Sequence, residues 1–190
     1  MSKAKSKIIV GLVGEIAAGK DTVADYLRKK YGSQTISFSQ PLRDILDILL
    51  LDQSRNNMAW LGHDLRDRFG QDILAKAITK QVNEAKSQIL CLPNIRLPQD
   101  IKYLKDMPGF VLIGINTQAE IRFKRIKTRG QNTDDKTKTW KQFQKDAKLP
   151  TEISIRKIMK KAKYQIDNNG SFKELHSQVD KIIKDIKKYV

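Results

Sequence analysis

The chain has 190 residues, a formal net charge of +16 and 39% hydrophobic residues. This length predicts a single domain over residues 1–190 with a full hydrophobic core. No stretch approaches the ~20 consecutive apolar residues of a membrane span, so we expect no membrane partner. Cys91 is the only cysteine, which excludes an internal disulfide and favours a reducing cytoplasm. His63 and His176 have no companions at metal-ligand spacing, so we expect no zinc site.

The positive charge indicates a polyanionic partner. Four lysines of the last predicted helix, Lys181, Lys184, Lys187 and Lys188, are interpreted as part of a solvated face. Aromatic and basic residues do not interleave as they do in a nucleic-acid platform. We therefore expect small nucleotides as partners rather than nucleic acid.

Apolar strand patterns alternate with helical patterns along the chain. Five strands are predicted, at Ile8–Val13, Gln34–Phe38, Gln88–Leu92, Phe110–Ile115 and Tyr164–Ile166. Helices are predicted between and after them, at Lys20–Tyr31, Pro41–Leu50, Trp60–Phe69, Gln71–Ala85, Gln99–Leu104 and Thr117–Arg129, from Thr139, at Glu152–Lys161, and from Ser171. This alternation predicts a three-layer α/β/α sandwich with a parallel sheet of about five strands and ligands at the carboxyl ends of the strands.

Three pairs of residues have the spacing of a helix-opening capping box, namely Thr117 with Glu120, Thr139 with Gln142, and Ser171 with Glu174. The stretch Asp52–Met58 is polar and is predicted to be irregular. A second polar stretch, about 130–138, lies between two capped helices. It predicts a small lid that closes over bound ATP.

A glycine-rich loop directly follows the first strand. Gly14, Gly19 and Lys20 have the spacing of a phosphate-binding P-loop between a strand and a helix. Glycine permits the backbone angles and close approaches such a loop needs, its N–H groups bind anions, and the lysine follows the β- and γ-phosphates. The predicted ATP-binding residues of this segment are Gly14, Glu15, Ala17, Ala18, Gly19, Lys20, Asp21 and Thr22.

The residue after the P-loop lysine departs from the strict pattern. It is normally Ser or Thr, whose hydroxyl holds Mg²⁺, but here it is Asp21, followed by Thr22. A carboxylate is also a hard oxygen ligand. Asp21 and Thr22 are therefore the predicted Mg²⁺ ligands, directly or through water.

Transfer of a phosphoryl group needs further positive charge. The candidate arginines are Arg43, Arg66, Arg68, Arg96, Arg122, Arg125 and Arg129. Three of these, at positions 122, 125 and 129, share one helical face before the predicted lid. By contrast, Arg28, Arg55 and Arg156 are interpreted as surface residues.

These motifs together resemble the bacteriophage-type deoxynucleoside monophosphate kinases and their cellular relatives. The opening segment Gly14–Leu27 has the Lys-Asp-Thr of that family, Ser37–Arg43 resembles its second-strand motif, and Leu65–Ala75 resembles its central segment. Arg122–Asp135 resembles the lid of nucleoside monophosphate kinases generally. Asp167–Leu175 is similar to a segment of dephospho-coenzyme A kinases that lies near the adenine of ATP.

The resemblance implies roles for particular residues. ATP would be bound by the P-loop together with Arg125, Asn169 and Gly170. The implied acceptor-binding residues are Ser39, Arg43, Arg66, Gln71 and Arg96. The implied catalytic residues are Lys20, Asp21, Arg96, Arg125 and Arg129, with ATP and Mg²⁺ as cofactors.

One position departs from the family pattern. Such kinases usually have an acidic residue after the third strand, whereas this chain has Pro93 there, three residues before Arg96. Asp21 is expected to compensate for the lost anion near Mg²⁺. Cys91 is interpreted as a buried strand residue rather than a nucleophile.

Four functions remain open at this point. The leading one is ATP-dependent phosphoryl transfer to a nucleoside or deoxynucleoside monophosphate, by a monomer or homodimer. A dephospho-coenzyme A kinase is the nearest alternative, with a ribose hydroxyl as acceptor and Asp21 as a candidate base. Pro93 favours a third, a nucleotide-binding protein without catalysis, and the net charge alone suggests a nucleic-acid-binding regulator.

Overall fold

The computed structural model describes residues 7–129 and 135–189, without the side chains of Arg55 and Arg129. Within these residues five strands form one parallel sheet in the order β2-β3-β1-β4-β5. The strands are β1 (Ile8–Val13), β2 (Gln34–Thr35), β3 (Ile89–Leu92), β4 (Phe110–Asn116) and β5 (Tyr164–Asp167). In register, Val10 of β1 lies beside Cys91 of β3 and Val111 of β4.

Helices cover both faces of this sheet. They are α1 (Lys20–Tyr31), α2 (Gln40–Ile48), α3 (Arg55–Phe69), α4 (Ile73–Glu84), α5 (Ala119–Arg129), α6 (Trp140–Asp146), α7 (Pro150–Met159) and α8 (Phe172–Ile186), with a 3₁₀ turn at Pro98–Ile101. The predicted α/β/α sandwich with a parallel sheet is therefore confirmed.

The alternation of side chains along β1 divides the hydrophobic core in two. Ile9 and Val13 pack with α2, α4 and α7 on one face. Val10 and Leu12 pack with α1 and α8 on the other. Every residue of β1 is buried, as expected of a central parallel strand covered on both sides. None of the helices in the described part of the chain combines the length and apolar character needed to cross a membrane.

Three predicted elements differ from the structure in type or by more than two residues at an end. Strand β2 ends at Thr35 instead of Phe38, because the Ser37 and Ser39 hydroxyls lie 2.9 Å apart and the Gln40 N–H donates to the Ser37 carbonyl, which closes a turn. Helix α3 begins at Arg55 instead of Trp60, within the stretch Asp52–Met58 that was predicted to be irregular. The Ser54 hydroxyl accepts the Asn57 N–H and caps the helix there.

The third difference is the turn after β3. A helix was expected at Gln99–Leu104, but the chain forms a 3₁₀ turn at Pro98–Ile101. The Asp100 carboxylate accepts the N–H groups of Arg96 and Leu97, both at 2.8 Å, and this tightens the turn. The capping boxes predicted at Thr139 and Ser171 are both present.

Candidate functional site

The glycine loop between β1 and α1 has the geometry of a phosphate cradle. A Cβ on Gly14 would lie 2.9 Å from the carbonyl oxygen of Ile115, and Gly19 has a φ of 98°, so both positions require glycine. Ala17 also has a positive φ, of 59°. The Lys20 ammonium lies over the loop and donates to the carbonyls of Gly14 at 2.7 Å and Glu15 at 3.1 Å.

Two side chains from the ends of neighbouring strands hold this loop in place. The carbonyl of Ala18 accepts hydrogen bonds from the Asn168 amide at 2.8 Å and from the Thr117 hydroxyl at 3.0 Å. The Asn168 carbonyl accepts in turn from Nη2 of Arg125 at 3.0 Å. The loop is thus fixed to the carboxyl ends of β4 and β5, next to an arginine of α5.

Arg125 has unused hydrogen-bonding capacity beside the loop. Its Nη1 atom is buried and has no hydrogen-bond partner among the described residues, and it would lie 3.8 Å from a Cβ placed on Gly19. Burial lowers the pKa of Arg125 from its ordinary value, but an arginine remains charged at neutral pH. A buried, unpaired N–H of a guanidinium is well suited to an anionic ligand.

The segment with similarity to the adenine-proximal loop follows directly after β5. The Asn169 carbonyl oxygen Oδ1 accepts the Gln118 N–H at 2.7 Å, and the Asn169 N–H donates to Asp167 at 2.9 Å. Gly170 packs against the Glu174 carboxylate, which caps α8. Asn169 and Gly170 therefore lie at the same edge of the sheet as Arg125 and the P-loop.

Glu15, the first residue after Gly14, joins two arginines. Its carboxylate lies 3.1 Å from Nη2 of Arg122 on α5 and 2.9 Å from Nη1 of Arg156 on α7. Arg122 is buried, donates to the carbonyl of Thr117 and lies over the ring of Phe143. Arg156, interpreted as a surface residue, is half-exposed, but α7 also brings it to a P-loop residue 141 positions away.

A cleft of about 800 Å³ opens next to the loop. Residues of the P-loop, of the segment after β3 and of the helices α6 and α7 line it: Gly14, Ile16, Lys20, Asp21, Asn94, Arg96, Thr137, Lys138, Thr139, Gln142, Lys145, Asp146, Leu149, Thr151, Glu152 and Ile155. The structure thus brings Arg96, predicted from the segment after β3, together with Lys20 and Asp21 of the P-loop.

Asp21 is exposed on α1, and Thr22 follows it, half-buried. The nearby Cys91 thiol is completely buried in β3. Burial, with a smaller contribution from the Asp21 charge, raises the pKa of Cys91 to about 12. Cys91 is therefore a protonated core residue, which agrees with its interpretation from the sequence as a buried strand residue.

The sequence analysis did not predict the buried carboxyl group near Arg96. Asp100 is 7% exposed and accepts the N–H groups of Arg96 and Leu97. Burial raises the pKa of Asp100, while these two hydrogen bonds and the charges of Arg66 and Arg96 oppose the rise. Asp100 thus places a carboxyl group beside the backbone of Arg96, three residues after Pro93, which occupies the position where an acid was expected.

The remaining predicted acceptor residues lie outside the lining of this cleft. The Ser39 hydroxyl contacts Ser37, and Arg43 donates to Gln53 at 2.7 Å. Arg66 donates to the Gly62 carbonyl at 2.9 Å, and Gln71 is exposed just before α4. Their role in acceptor binding stays a prediction.

Part of the predicted lid, residues 130–134, and the side chain of Arg129 lie outside the described residues. In the described part that follows, Asp135 is completely buried. Lys138 forms an ion pair of 2.7 Å with Asp146 of α6. The described end of the predicted lid is therefore anchored to α6, in the wall of the cleft.

Comparison with known proteins identifies the class of fold. No protein-family model matches the chain. The chain is 26% identical over 181 residues to UPF0200 protein MJ1399 of Methanocaldococcus jannaschii, across 94% of this chain and 90% of that protein.

Two solved kinases share the architecture. Shikimate kinase from Acinetobacter baumannii in complex with shikimate aligns with a TM-score of 0.56 and 16% identity, over 97% of this chain and 95% of that one. Dephospho-CoA kinase from Campylobacter jejuni aligns with a TM-score of 0.53 and 17% identity, over 95% and 97%. The chain therefore shares the α/β/α fold of these two kinases.

Proposed function

We propose that this protein transfers the γ-phosphoryl group of ATP to a nucleoside or deoxynucleoside monophosphate, giving ADP and the nucleoside diphosphate. One observation carries the proposal. Lys20, Asp21 and Arg96 line one cleft beside a glycine loop, so a phosphate donor and an anionic acceptor would meet between cations at the carboxyl edge of the sheet. Such transfer depends on positioning and charge neutralisation, without a covalent enzyme intermediate.

In this proposal the P-loop and α5 hold the donor. Lys20 stabilises the charge that develops on the transferred group. Arg125 adds its unpaired Nη1, and Arg129, whose side chain lies outside the described residues, is proposed to act from the next turn. Asn169 and Gly170 would lie near the adenine.

The residues present fit a bound Mg²⁺. Asp21 is an exposed carboxylate lining the cleft, and the Thr22 hydroxyl follows it; both are hard oxygen donors of the kind that Mg²⁺ prefers. The ion would neutralise phosphate charge when bound. Asp21 would supply the negative charge that Pro93 does not.

Arg96 is the proposed partner of the acceptor phosphate, since it is exposed in the cleft opposite the P-loop. Ser39, Arg43, Arg66 and Gln71 are proposed to complete the acceptor site from α2, α3 and the start of α4. Closure of the segment about 130–138 would exclude water from the reacting groups.

Phosphoryl transfer to a hydroxyl group instead of a phosphate is the second candidate function. The fold is shared with a dephospho-CoA kinase, and a hydroxyl acceptor needs a carboxylate base within the cleft. Asp21 lines the cleft and is exposed, so it could accept that proton.

The test is a coupled ADP-release assay with Mg²⁺-ATP and a panel of acceptors: the ribo- and deoxyribonucleoside monophosphates, dephospho-coenzyme A and shikimate. Release stimulated by one or more monophosphates supports the proposal. Stimulation by dephospho-coenzyme A or shikimate alone would assign the hydroxyl-acceptor function instead. ATP binding without stimulated release by any compound would reject both and leave a nucleotide-binding protein.

A further inference from the structure

One carboxylate oxygen in the wall of the cleft has no hydrogen-bond partner among the described residues. Glu152 lies in the first turn of α7 and lines the cleft together with Thr151 and Ile155. Its Oε2 atom is shielded from solvent and has no hydrogen-bond partner, and no ion pair to Glu152 is found among the described residues. Since a carboxylate oxygen kept out of water without a hydrogen-bond partner is destabilising, its position needs an explanation.

Capping of α7 does not explain it. In α6 and α8 the third helical residue folds back onto the helix start: Gln142 accepts the Thr139 N–H, and Glu174 accepts the Ser171 N–H, each at 2.7 Å. Glu152 is the third residue of α7, but the N–H of Leu149 at its start already donates to the Asp146 carbonyl at 3.0 Å. Glu152 makes no such bond.

The cations around the cleft do not explain it either. Lys138 pairs with Asp146 at 2.7 Å, and Arg156, on the next turn of α7, pairs with Glu15 at 2.9 Å. Each of these two cations has a carboxylate partner other than Glu152, and no ion pair joins Glu152 to Lys20, Arg96 or Lys145 among the described residues. The charge of Glu152 is favourable to the helix dipole in the first turn of α7, but no hydrogen bond within the described residues uses its Oε2 atom.

The lining of the cleft indicates what Glu152 would bind. Four cations share the lining, Lys20, Arg96, Lys138 and Lys145, together with the neutral hydrogen-bonding side chains Asn94, Thr137, Thr139, Gln142 and Thr151, and the lining includes no aromatic ring on which a base could stack. In the described part of the chain, no three His, Cys, Asp or Glu residues are grouped to hold a metal ion. A hydroxyl donor suits such a surface better than a cation or a planar base.

We propose that Glu152 accepts a hydrogen bond from a sugar hydroxyl of the acceptor and selects acceptors that carry it. This assignment rests on the proposed phosphotransferase function and adds a specificity-determining residue to it. A site built to hydrogen-bond a substrate hydroxyl discriminates strongly against the analogue without it, because the buried acceptor is then left unpaired.

The experiment compares the wild-type protein with Glu152→Ala, Glu152→Gln and a control, Glu120→Gln. Glu120 is an exposed glutamate in the first turn of α5, outside the cleft. The acceptors are the ribo, 2′-deoxy and 2′,3′-dideoxy forms of the monophosphate that the wild-type protein phosphorylates fastest. The readouts are kcat/KM for each acceptor, KM for ATP, and Tm.

The wild-type protein should lose about 10- to 100-fold in kcat/KM when the bound hydroxyl is removed, a range expected of a hydrogen bond to a charged group. Glu152→Ala should lose a similar factor with the hydroxylated acceptor and should no longer distinguish the analogues. The kcat/KM of Glu152→Gln with the hydroxylated acceptor should lie between those of the wild type and Glu152→Ala. That of Glu120→Gln should match the wild type. KM for ATP should stay constant, and Tm should fall by no more than about 3 °C, since Glu152 would lose only its favourable charge at the start of α7.

Equal losses of Glu152→Ala with all three acceptors, no loss at all, or a fall in Tm well beyond about 3 °C would overturn the assignment of Glu152 while leaving the phosphotransferase function intact. If only dephospho-coenzyme A is phosphorylated, the hydroxyl in question is the one that receives the phosphoryl group; a lower kcat of Glu152→Ala with it supports the assignment, and an unchanged kcat rejects it. A wild-type protein that phosphorylates no acceptor overturns the function and the assignment together.

Discussion

The ion pairs of Glu15 offer a quantitative test of how the P-loop is held. Glu15→Ala removes the carboxylate between Arg122 and Arg156. The Arg122 side chain is 6% exposed and that of Arg156 is 40% exposed. Removing one partner of a buried pair costs about 3–5 kcal/mol, whereas a half-exposed pair contributes about 1 kcal/mol or less.

The expected loss follows from what Arg122 retains. Its guanidinium keeps the carbonyls of Thr117 and Ile16 as acceptors at 3.1 and 3.5 Å, so the lower end of the range applies, about 3 kcal/mol. For a protein of this length that corresponds to a fall in Tm of about 9 °C. Arg156→Ala, which leaves the buried pair in place, should lower Tm by less than about 3 °C.

The assay is urea unfolding followed by circular dichroism, together with a thermal melt, on the wild-type protein and both variants. The double variant Glu15→Ala/Arg156→Ala should be no less stable than Glu15→Ala alone, since the exposed arginine has then no partner left to lose. A Glu15→Ala variant as stable as Arg156→Ala would refute the reasoning, because the buried pair with Arg122 would then contribute nothing.

Three further predictions concern other carboxylates and the thiol. Asp21→Asn should raise the Mg²⁺ concentration for half-maximal activity by about tenfold or more while changing the acceptor KM little; an unchanged Mg²⁺ requirement in a titration of activity would contradict the metal role. Lys102, as the largest cause, holds the pKa of Asp72 below its usual value of 3.8, so the stabilisation by Asp72 is complete above that pH and is lost as pH falls below it. The stability difference between the wild type and Asp72→Asn, measured by urea unfolding, should therefore shrink below about pH 4. A difference that grows there would contradict a lowered pKa of Asp72 in the folded protein. The buried Cys91 thiol, with its pKa raised to about 12, should resist iodoacetamide at about pH 8 until the protein unfolds; rapid labelling of the folded protein, seen by mass spectrometry, would show that it is accessible.

The parts of the structure that follow local rules could be predicted from the sequence. The apolar run Ile8–Val13, the glycines of the loop and the capping boxes at Thr139 and Ser171 each depend on residues within a few positions of one another. For the same reason Lys20 and Asp21 could be assigned to one site from their spacing alone. Arg96 joined them because carboxyl ends of parallel strands share one edge of a sheet.

Other features depend on contacts between distant residues, which spacing does not show. Arg156 looked like a surface residue until α7 placed it beside Glu15. Asp100 places a carboxyl group beside the backbone of Arg96 from within the 3₁₀ turn, and its sequence neighbours give no sign that it is buried. Glu152 has the spacing of an ordinary helix-capping residue. Only the structure shows that the N–H of Leu149, which a capping Glu152 would accept, already donates to the Asp146 carbonyl.

Transfer of radioactive label from [γ-³²P]ATP tests the central claim most directly, because it separates phosphoryl transfer to an acceptor from hydrolysis. With the wild-type protein, Mg²⁺ and the panel of nucleoside monophosphates, label should appear in a nucleoside diphosphate. Lys20→Ala should reduce this transfer by about a thousandfold, since it removes a charge that stabilises the transferred group. Lys124→Ala, which changes an exposed lysine of α5, should leave transfer unchanged. Label found only in inorganic phosphate, or normal transfer by Lys20→Ala, would contradict the account.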